Sequence, residues 1–214
     1  MKRRWAAPLL LAAMWAFALA VYPRLSARIP THWNLHGQVD GWGGRSAVFL
    51  LPAIATAVAL LMIVLPRIDP RRANVEKSRD ELWRFVNVLL LFMAWMEAVM
   101  LAATLGWRVD MTRAALGGTG VLLVVIGNYL PRIRSNWFFG IRTPWTLSSE
   151  RVWRETHRVG GRTLVAAGVV MALAMFAPAP LAEVVIIPVI LVAVVVPVAY
   201  SYLAWRREAA GGAG

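Results

Sequence analysis

Six stretches of this 214-residue chain are predominantly apolar over 15 to 21 residues each, at 5–21, 48–65, 85–105, 114–130, 164–178 and 184–203. A helix rises about 1.5 Å per residue, so about 20 apolar residues cross about 30 Å of hydrocarbon. The blocks at 114–130 and 164–178 are short for this, and the last block contains Pro188 and Pro197, which membrane helices tolerate. Apolar residues gathered into blocks, rather than spread as a soluble core spreads them, predict an all-α integral membrane protein with a six-transmembrane-helix bundle. Composition agrees: 59% of residues are hydrophobic and 16% charged, against about 45–50% and about 25% in soluble domains. Such a chain is not disordered, not a nucleic-acid-binding tail and unlike most soluble enzymes. With no cysteine, it has no disulfide framework, thiolate metal site or cysteine nucleophile.

Charge sets the expected orientation. The net charge is +12, and of 23 basic residues only Lys2 and Lys77 are lysines. With the amino end in the cytoplasm, 18 of the 23 fall on cytoplasmic segments and five, Arg24, Arg28, Arg45, Arg108 and Arg113, fall outside. Membrane proteins show this bias, so both termini are expected inside the plasma membrane. The charge is then a matter of topology and lipid contact, with no direct nucleic-acid partner implied. One alternative concerns the first block: Lys2, Arg3 and Arg4, an apolar run and Ala18-Leu19-Ala20 also fit a cleavable secretory signal, which would leave five spans.

Two loops are too long for plain connectors, the outer one at 24–46 and the inner one ending at 162, and long loops in small proteins carry function or are disordered. Both are rich in Trp, Gly, Pro and Asn, which is not a disordered composition. In the outer loop His32, His36 and Asp40 recur every four residues. On a helix they would share a face, and two imidazoles with a carboxylate can hold a divalent metal, the one cofactor the residues admit. Gly37 and Gly41 interrupt such a helix, and the other reading is a packed re-entrant or interfacial cap whose polar groups bond to backbone.

In the inner segment Pro131 should end the fourth helix, Ser148 or Ser149 should cap a short helix opened by Glu150, and Gly160-Gly161 should stop it. Val152, Trp153, Thr156 and Val159 fall on roughly one face, which predicts an amphipathic helix in the inner interface with its arginines toward lipid phosphates. That leaves Asn128, Asn136, Gly140, Arg142, Thr143, Pro144 and Trp145 without an account, since a generic anchor does not need them.

At these positions the chain resembles a known family. The run from Gly127-Asn128 through NWFFGIRTPWTLSSE to Gly160-Gly161, residues 127–162, is similar to the signature of the SdpI-type bacterial immunity proteins. The stretch at 29–42 (IPTHWN, then DGW) resembles the amino-terminal membrane domain of unknown function that accompanies it. The resemblance implies a membrane domain at 1–66 with the outer loop 24–46, and an SdpI-like domain at 67–214 with the inner motif 127–162. It implies immunity to a secreted toxic peptide, coupled to signalling in which a transcriptional repressor is held at the membrane. The binding positions it carries over are Asn128, Asn136, Gly140, Arg142, Thr143, Pro144, Trp145, Glu150, Trp153 and His157 inside, and His32, Asn34 and Asp40 outside. His36 departs from the pattern, where a small or polar residue is commoner.

One further residue is singled out by physics alone. Glu97 lies within the third block, where a carboxylate costs several kcal/mol unless paired or protonated, and Asn87 or the outer histidines are its expected partners. Three function classes follow. The first is an immunity protein or receptor, with membrane lipids, an external peptide and an internal regulator as partners. The second is a membrane-embedded enzyme at the inner leaflet, with His157 as base, Glu150 as acid or orienter and Arg142 as phosphate clamp; no nucleophile elbow, P-loop or metalloprotease motif accompanies them. The third is a small transporter, for which the blocks offer Glu97 alone and no internal repeat.

Overall fold

The computed structural model describes residues 6–211, so Trp5 of the first block and the charges at Lys2, Arg3 and Arg4 lie outside the described residues. Long helices form where the apolar blocks lie: α1 (Ala6–Val21), α2 (Leu50–Ile68), α4 (Arg79–Thr104), α5 (Met111–Tyr129), α7 (Glu150–Ala174) and α8 (Ala179–Gly211), with short α3 (Arg72–Lys77) and α6 (Pro144–Ser148) between them. Five of these, α1, α2, α4, α5 and α8, are long and apolar enough to cross a membrane. The chain is thus an α-helical membrane protein. α8 runs unbroken through Pro188 and Pro197, and α5 stops at Tyr129, two residues before Pro131, as expected.

The helices pack as two groups of three. α1, α2 and α4 share an apolar core through Met14, Ala55, Ala59, Val86 and Leu90. α5, α7 and α8 share a second through Leu116, Met171, Ala174 and Ala182, and α4 against α5 joins the groups. Glu97 lies on the packed face of α4, fully buried, between Met93 in one cluster and Met100 and Leu101 in the next. One of its carboxyl oxygens has no hydrogen-bond partner among the described residues. The histidines expected to reach it are engaged elsewhere, as described below.

α5 and α7 make the tightest helix pair. A Cβ on Gly127 would sit 2.6 Å from the Gly161 carbonyl oxygen, and a Cβ on Gly120 would sit 2.7 Å from the Gly168 carbonyl oxygen. The antiparallel backbones therefore touch at two points one heptad apart. This overturns the expected helix stop at Gly160-Gly161. Glycine in a helix costs about 1 kcal/mol against alanine, but here it admits the neighbouring backbone, and helices without an aqueous driving force gain most from such close packing. The expected short interfacial helix and the fifth block are therefore one continuous helix. The face bearing Val152, Trp153, Thr156 and His157 is buried in protein rather than laid on lipid.

The outer loop departs from a purely helical plan. Residues Arg28–Trp33 (β1) and Val39–Gly44 (β2) form an antiparallel hairpin, with Ile29 opposite Gly43 and Trp33 opposite Val39. Buried Ile29 and Leu25 tie its base to the ends of α1 and α4. Its tip reaches the other helix group: Thr112 at the start of α5 donates to the Leu35 carbonyl (3.1 Å), and His36 Nδ1 lies 2.8 Å from Glu183 on α8.

The seam yields a direct test. Gly127→Ala should destabilise the protein by about 1–3 kcal/mol, because the obstructing atom is backbone and must move with its helix. Gly44→Ala, whose Cβ would meet only Ser46 Oγ at 4.0 Å, should stay within about 0.5 kcal/mol. Thermal unfolding of the two purified variants in detergent checks this.

Candidate functional site

The conspicuous construction lies at the end of the bundle opposite the hairpin, where the segment between α5 and α7 folds over the α2–α4 connection. Its organiser is Asn136, which is buried. Its Oδ1 accepts from the amides of Phe138 (2.9 Å) and Phe139 (2.6 Å), while its Nδ2 donates to the Arg134 carbonyl (2.9 Å). A side-chain amide bonding its own loop in this way substitutes for the ladder a strand or helix would supply.

His157 braces the same loop from α7. It is fully buried and stacks on Trp153, with ring centroids 4.0 Å apart. Its Nδ1 lies 2.8 Å from the Trp153 carbonyl, which can only accept, so Nδ1 carries the proton. Its Nε2 then accepts from the Ile141 amide at 3.1 Å. Both nitrogens are thereby taken by backbone, and burial pushes the imidazole down to about 4. Gly140 has φ +94°, and a Cβ there would collide with His157 Nε2, so backbone conformation and space both require glycine. Trp153 Nε1 donates to the Ile133 carbonyl (2.8 Å), fixing the start of the loop.

Thr143 and Pro144 open α6. Thr143 and Thr146 bond each other's backbone amides as a capping box, Pro144 takes the first helical position, and Thr143 Oγ1 reaches Ser201 on α8 (3.0 Å). Ser149, rather than Ser148, caps α7 by accepting from the Val152 amide (3.2 Å).

Residues the sequence reading passed over complete the site. Asp69 is buried after α2 and accepts from the Arg71 amide (2.6 Å) and the Trp137 amide (2.9 Å). Arg71 donates to Ser135 Oγ and to the Leu147 carbonyl (2.7 Å), and Asn74 Nδ2 donates to the Ser135 carbonyl (2.9 Å). Ser78 Oγ accepts from the Arg134 amide (2.9 Å). The available signal was Asp69-Pro70-Arg71 directly after an apolar block, a turn-forming trio with one charge of each sign.

Around this braced loop Arg142, Glu150 and Asn128 are open to solvent or headgroups and Trp145 is half-buried. Arg142 is exposed and donates to the Trp137 carbonyl (2.8 Å). Trp145 packs on Tyr202 (5.1 Å), which in turn neighbours Trp205. Glu150 is exposed and accepts from Asn74 (3.4 Å). Asn128 is exposed on the last turn of α5, beside Arg158 and Arg162 and apart from the Asn136–His157 cluster. His157 has no lone pair left for abstracting a proton, so the base that an enzyme reading needs is not offered by this geometry.

At the hairpin the predicted residues separate. His32 on β1 pairs with Asp40 on β2 at 2.5 Å, as cross-strand neighbours rather than on a helix face. His36, in the turn, is held instead by Glu183. Asn34 shapes that turn: its Oδ1 accepts from the amides of His36 and Gln38 at 3.0 Å each, and Gly37 adopts φ +73°. No group of three or more His, Asp or Glu side chains with metal-holding geometry occurs among the described residues.

The histidine geometry has a pH signature. The folded chain resists protonating His157 while the unfolded chain does not, so stability is complete above about 6.5 and falls as pH drops from 6.5 towards 4. The slope should approach about 1.4 kcal/mol per pH unit. Detergent-solubilised protein should lose unfolding temperature across that window, and a His157→Gln variant should lose less over the same interval.

Comparison with known proteins agrees with this architecture. The SdpI/YfhL protein family matches residues 132–201, and a domain of unknown function (DUF1648) matches residues 9–56. The chain is 24% identical over 190 residues to the immunity protein SdpI of Bacillus subtilis, covering 89% of each chain. It is 25% identical over 135 residues to an uncharacterized protein of Archaeoglobus fulgidus, covering 54% of this chain and 72% of that one. No solved structure matches. The braced loop lies at the start of the matched SdpI/YfhL segment, and the hairpin lies inside the other. Membrane-length apolar helices and these matches together make the chain a multi-pass plasma-membrane protein that is similar to the SdpI-type family.

Proposed function

We propose that this protein confers immunity to a secreted toxic peptide. The observation that carries the reading is similarity to an immunity protein along 89% of both chains, spanning both structured ends of the bundle. In this reading the chain crosses the membrane six times with both termini in the cytoplasm, α7 making the fifth crossing through the apolar run that starts at Leu164. Residues 1–66 form the membrane domain bearing the hairpin and 67–214 the SdpI-like domain.

The hairpin then faces outward, and its His32, Asn34 and Asp40 surface meets the peptide near the outer headgroups. The braced loop faces the cytoplasm. Asn136, Gly140, Thr143, Pro144, Trp153 and His157 hold its shape, while Arg142, Trp145 and Glu150 present it to a cytosolic regulator. Arg and Trp dominate the energetics of many interfaces, and these two stand on a loop fixed from α2, α3, α7 and α8. A preformed surface of this kind loses little freedom on binding.

The test is survival of a toxin-sensitive bacterium exposed to the peptide countered by the Bacillus immunity protein. Cells making the parent protein should survive. Arg142→Ala and Trp145→Ala proteins should insert normally, since neither residue is buried, and should protect less. Parent protein that inserts and gives no protection would contradict the immunity reading; variants that protect fully would remove the loop from it.

A further inference from the structure

Asn128 and the arginines two and six residues before the start of the α7 apolar run take no part in the braced loop. They line a groove of about 360 Å³ between α5 and α7. The groove exists because Gly127 and Gly161 bring the two backbones into contact and leave no side chain to fill the crease. Pro131 closes one end, and Arg158 and Arg162, four residues apart on one face of α7, stand over it.

These two guanidiniums differ from several arginines at this end of the molecule. Arg79 pairs with Glu76, Arg84 with Glu81 and Arg151 with Glu155, and Arg71 is spent on Ser135 and Leu147. Arg158 and Arg162 have no ion pair or hydrogen bond among the described residues. No carboxylate lines the groove, so it carries two uncompensated positive charges beside an amide side chain. A second groove, lined by Arg67, Arg72, Arg79 and Glu76, carries the same net charge but contains a carboxylate and no amide side chain.

The same face of α7 then turns apolar. Ala166, Val169 and Leu173 follow Arg162 at helical spacing, and all three are exposed, forming a lipid-facing track that leads away from the charges. A pair of cations at the mouth of an apolar track matches a molecule with a phosphate at one end and an acyl chain behind it.

We infer that this groove is a binding site for an anionic phospholipid of the cytoplasmic leaflet. Arg158, Arg162 and the Asn128 amide hold the phosphate, and an acyl chain lies along Ala166, Val169 and Leu173. The leaflet assignment rests on the six-span orientation proposed above; the binding chemistry does not. A lipid seated there would cover the α5–α7 seam and fix the depth of the helix that carries His157 to the braced loop.

The experiment is native mass spectrometry of the purified full-length chain in neutral detergent. It is titrated with dioleoylphosphatidylglycerol, dioleoylphosphatidylcholine and glycerol 1-phosphate. Phosphatidylglycerol should bind with one preferred stoichiometric site. Arg158→Gln and Arg162→Gln should each weaken that site about fivefold, the effect of about one surface charge on an anionic lipid. Arg154→Gln removes the same charge from the same helix but does not line the groove, and should change binding less than twofold. Equal binding of phosphatidylcholine, or an equal loss in Arg154→Gln, would overturn the inference in favour of a diffuse basic surface. Competition by glycerol 1-phosphate at the same concentration as the lipid would replace it with a free-phosphate site. None of these outcomes depends on whether the protein protects cells, so failure of the immunity reading is told apart from failure of the lipid site.

Discussion

The backbone contact between α5 and α7 governs the rest of the molecule. Where Gly127 meets Gly161 and Gly120 meets Gly168, two helices approach as closely as their main chains allow. That contact fixes the rotation of α7, and rotation decides where every residue beyond Gly161 points. With Gly161 turned to α5, Trp153, Thr156 and His157 face the interior. Gly160, alongside, leaves the space that the Ile141 side chain occupies. The seam therefore aims one end of a helix at the loop it must support, and a side chain placed there would displace both.

From that helix the loop is assembled by polar groups that are almost all buried. Removing such groups from water costs free energy that only bonded partners recover. Asn136, His157, Thr143 and Thr146 bond the loop to itself or to α7. Asp69, Arg71, Asn74 and Ser78 bond it across to the α2–α4 connection, and Ser201 bonds it to α8. Elements from both helix groups thus meet in one segment. At the other end the hairpin repeats the arrangement on a smaller scale, rooted beside α1 and reaching α5 and α8 through Leu35 and His36. Each end of the bundle carries one irregular segment that ties the two groups together, which suits a protein whose proposed work is done at its two surfaces.

Much of this was legible in the sequence, and what was not has identifiable causes. The apolar blocks located every long helix, because lipid demands continuous apolar length and tolerates little else. Pro131 and Ser149 marked helix ends through local backbone chemistry that packing did not override. Gly160-Gly161 misled for the opposite reason: a glycine pair reads locally as a terminator, and only a facing glycine on another helix turns it into a contact. The hairpin was missed because His32, His36 and Asp40 keep a four-residue spacing, whereas Asn34 and Gly37, which form the turn, carry the decisive signal. In the inner motif the sequence marked the residues of the loop but not their division of labour. Asn136, Gly140 and His157 turn inward to build the loop and Arg142 turns outward, a distinction that depends on partners such as Asp69 some 68 residues away.

The central claim is that the segment from Arg134 to Thr143 is a fixed structure held by buried bonds. Hydrogen exchange of the purified protein in nanodiscs addresses it at single amides. The amides of Trp137, Phe138, Phe139 and Ile141, bonded to Asp69, Asn136 and His157, should exchange as slowly as those of the α7 segment beneath them. The exposed Leu35 amide in the turn at the other end should exchange faster. Exchange of the four loop amides at the rate of an open connector would show that the bonds do not persist, and would contradict the account.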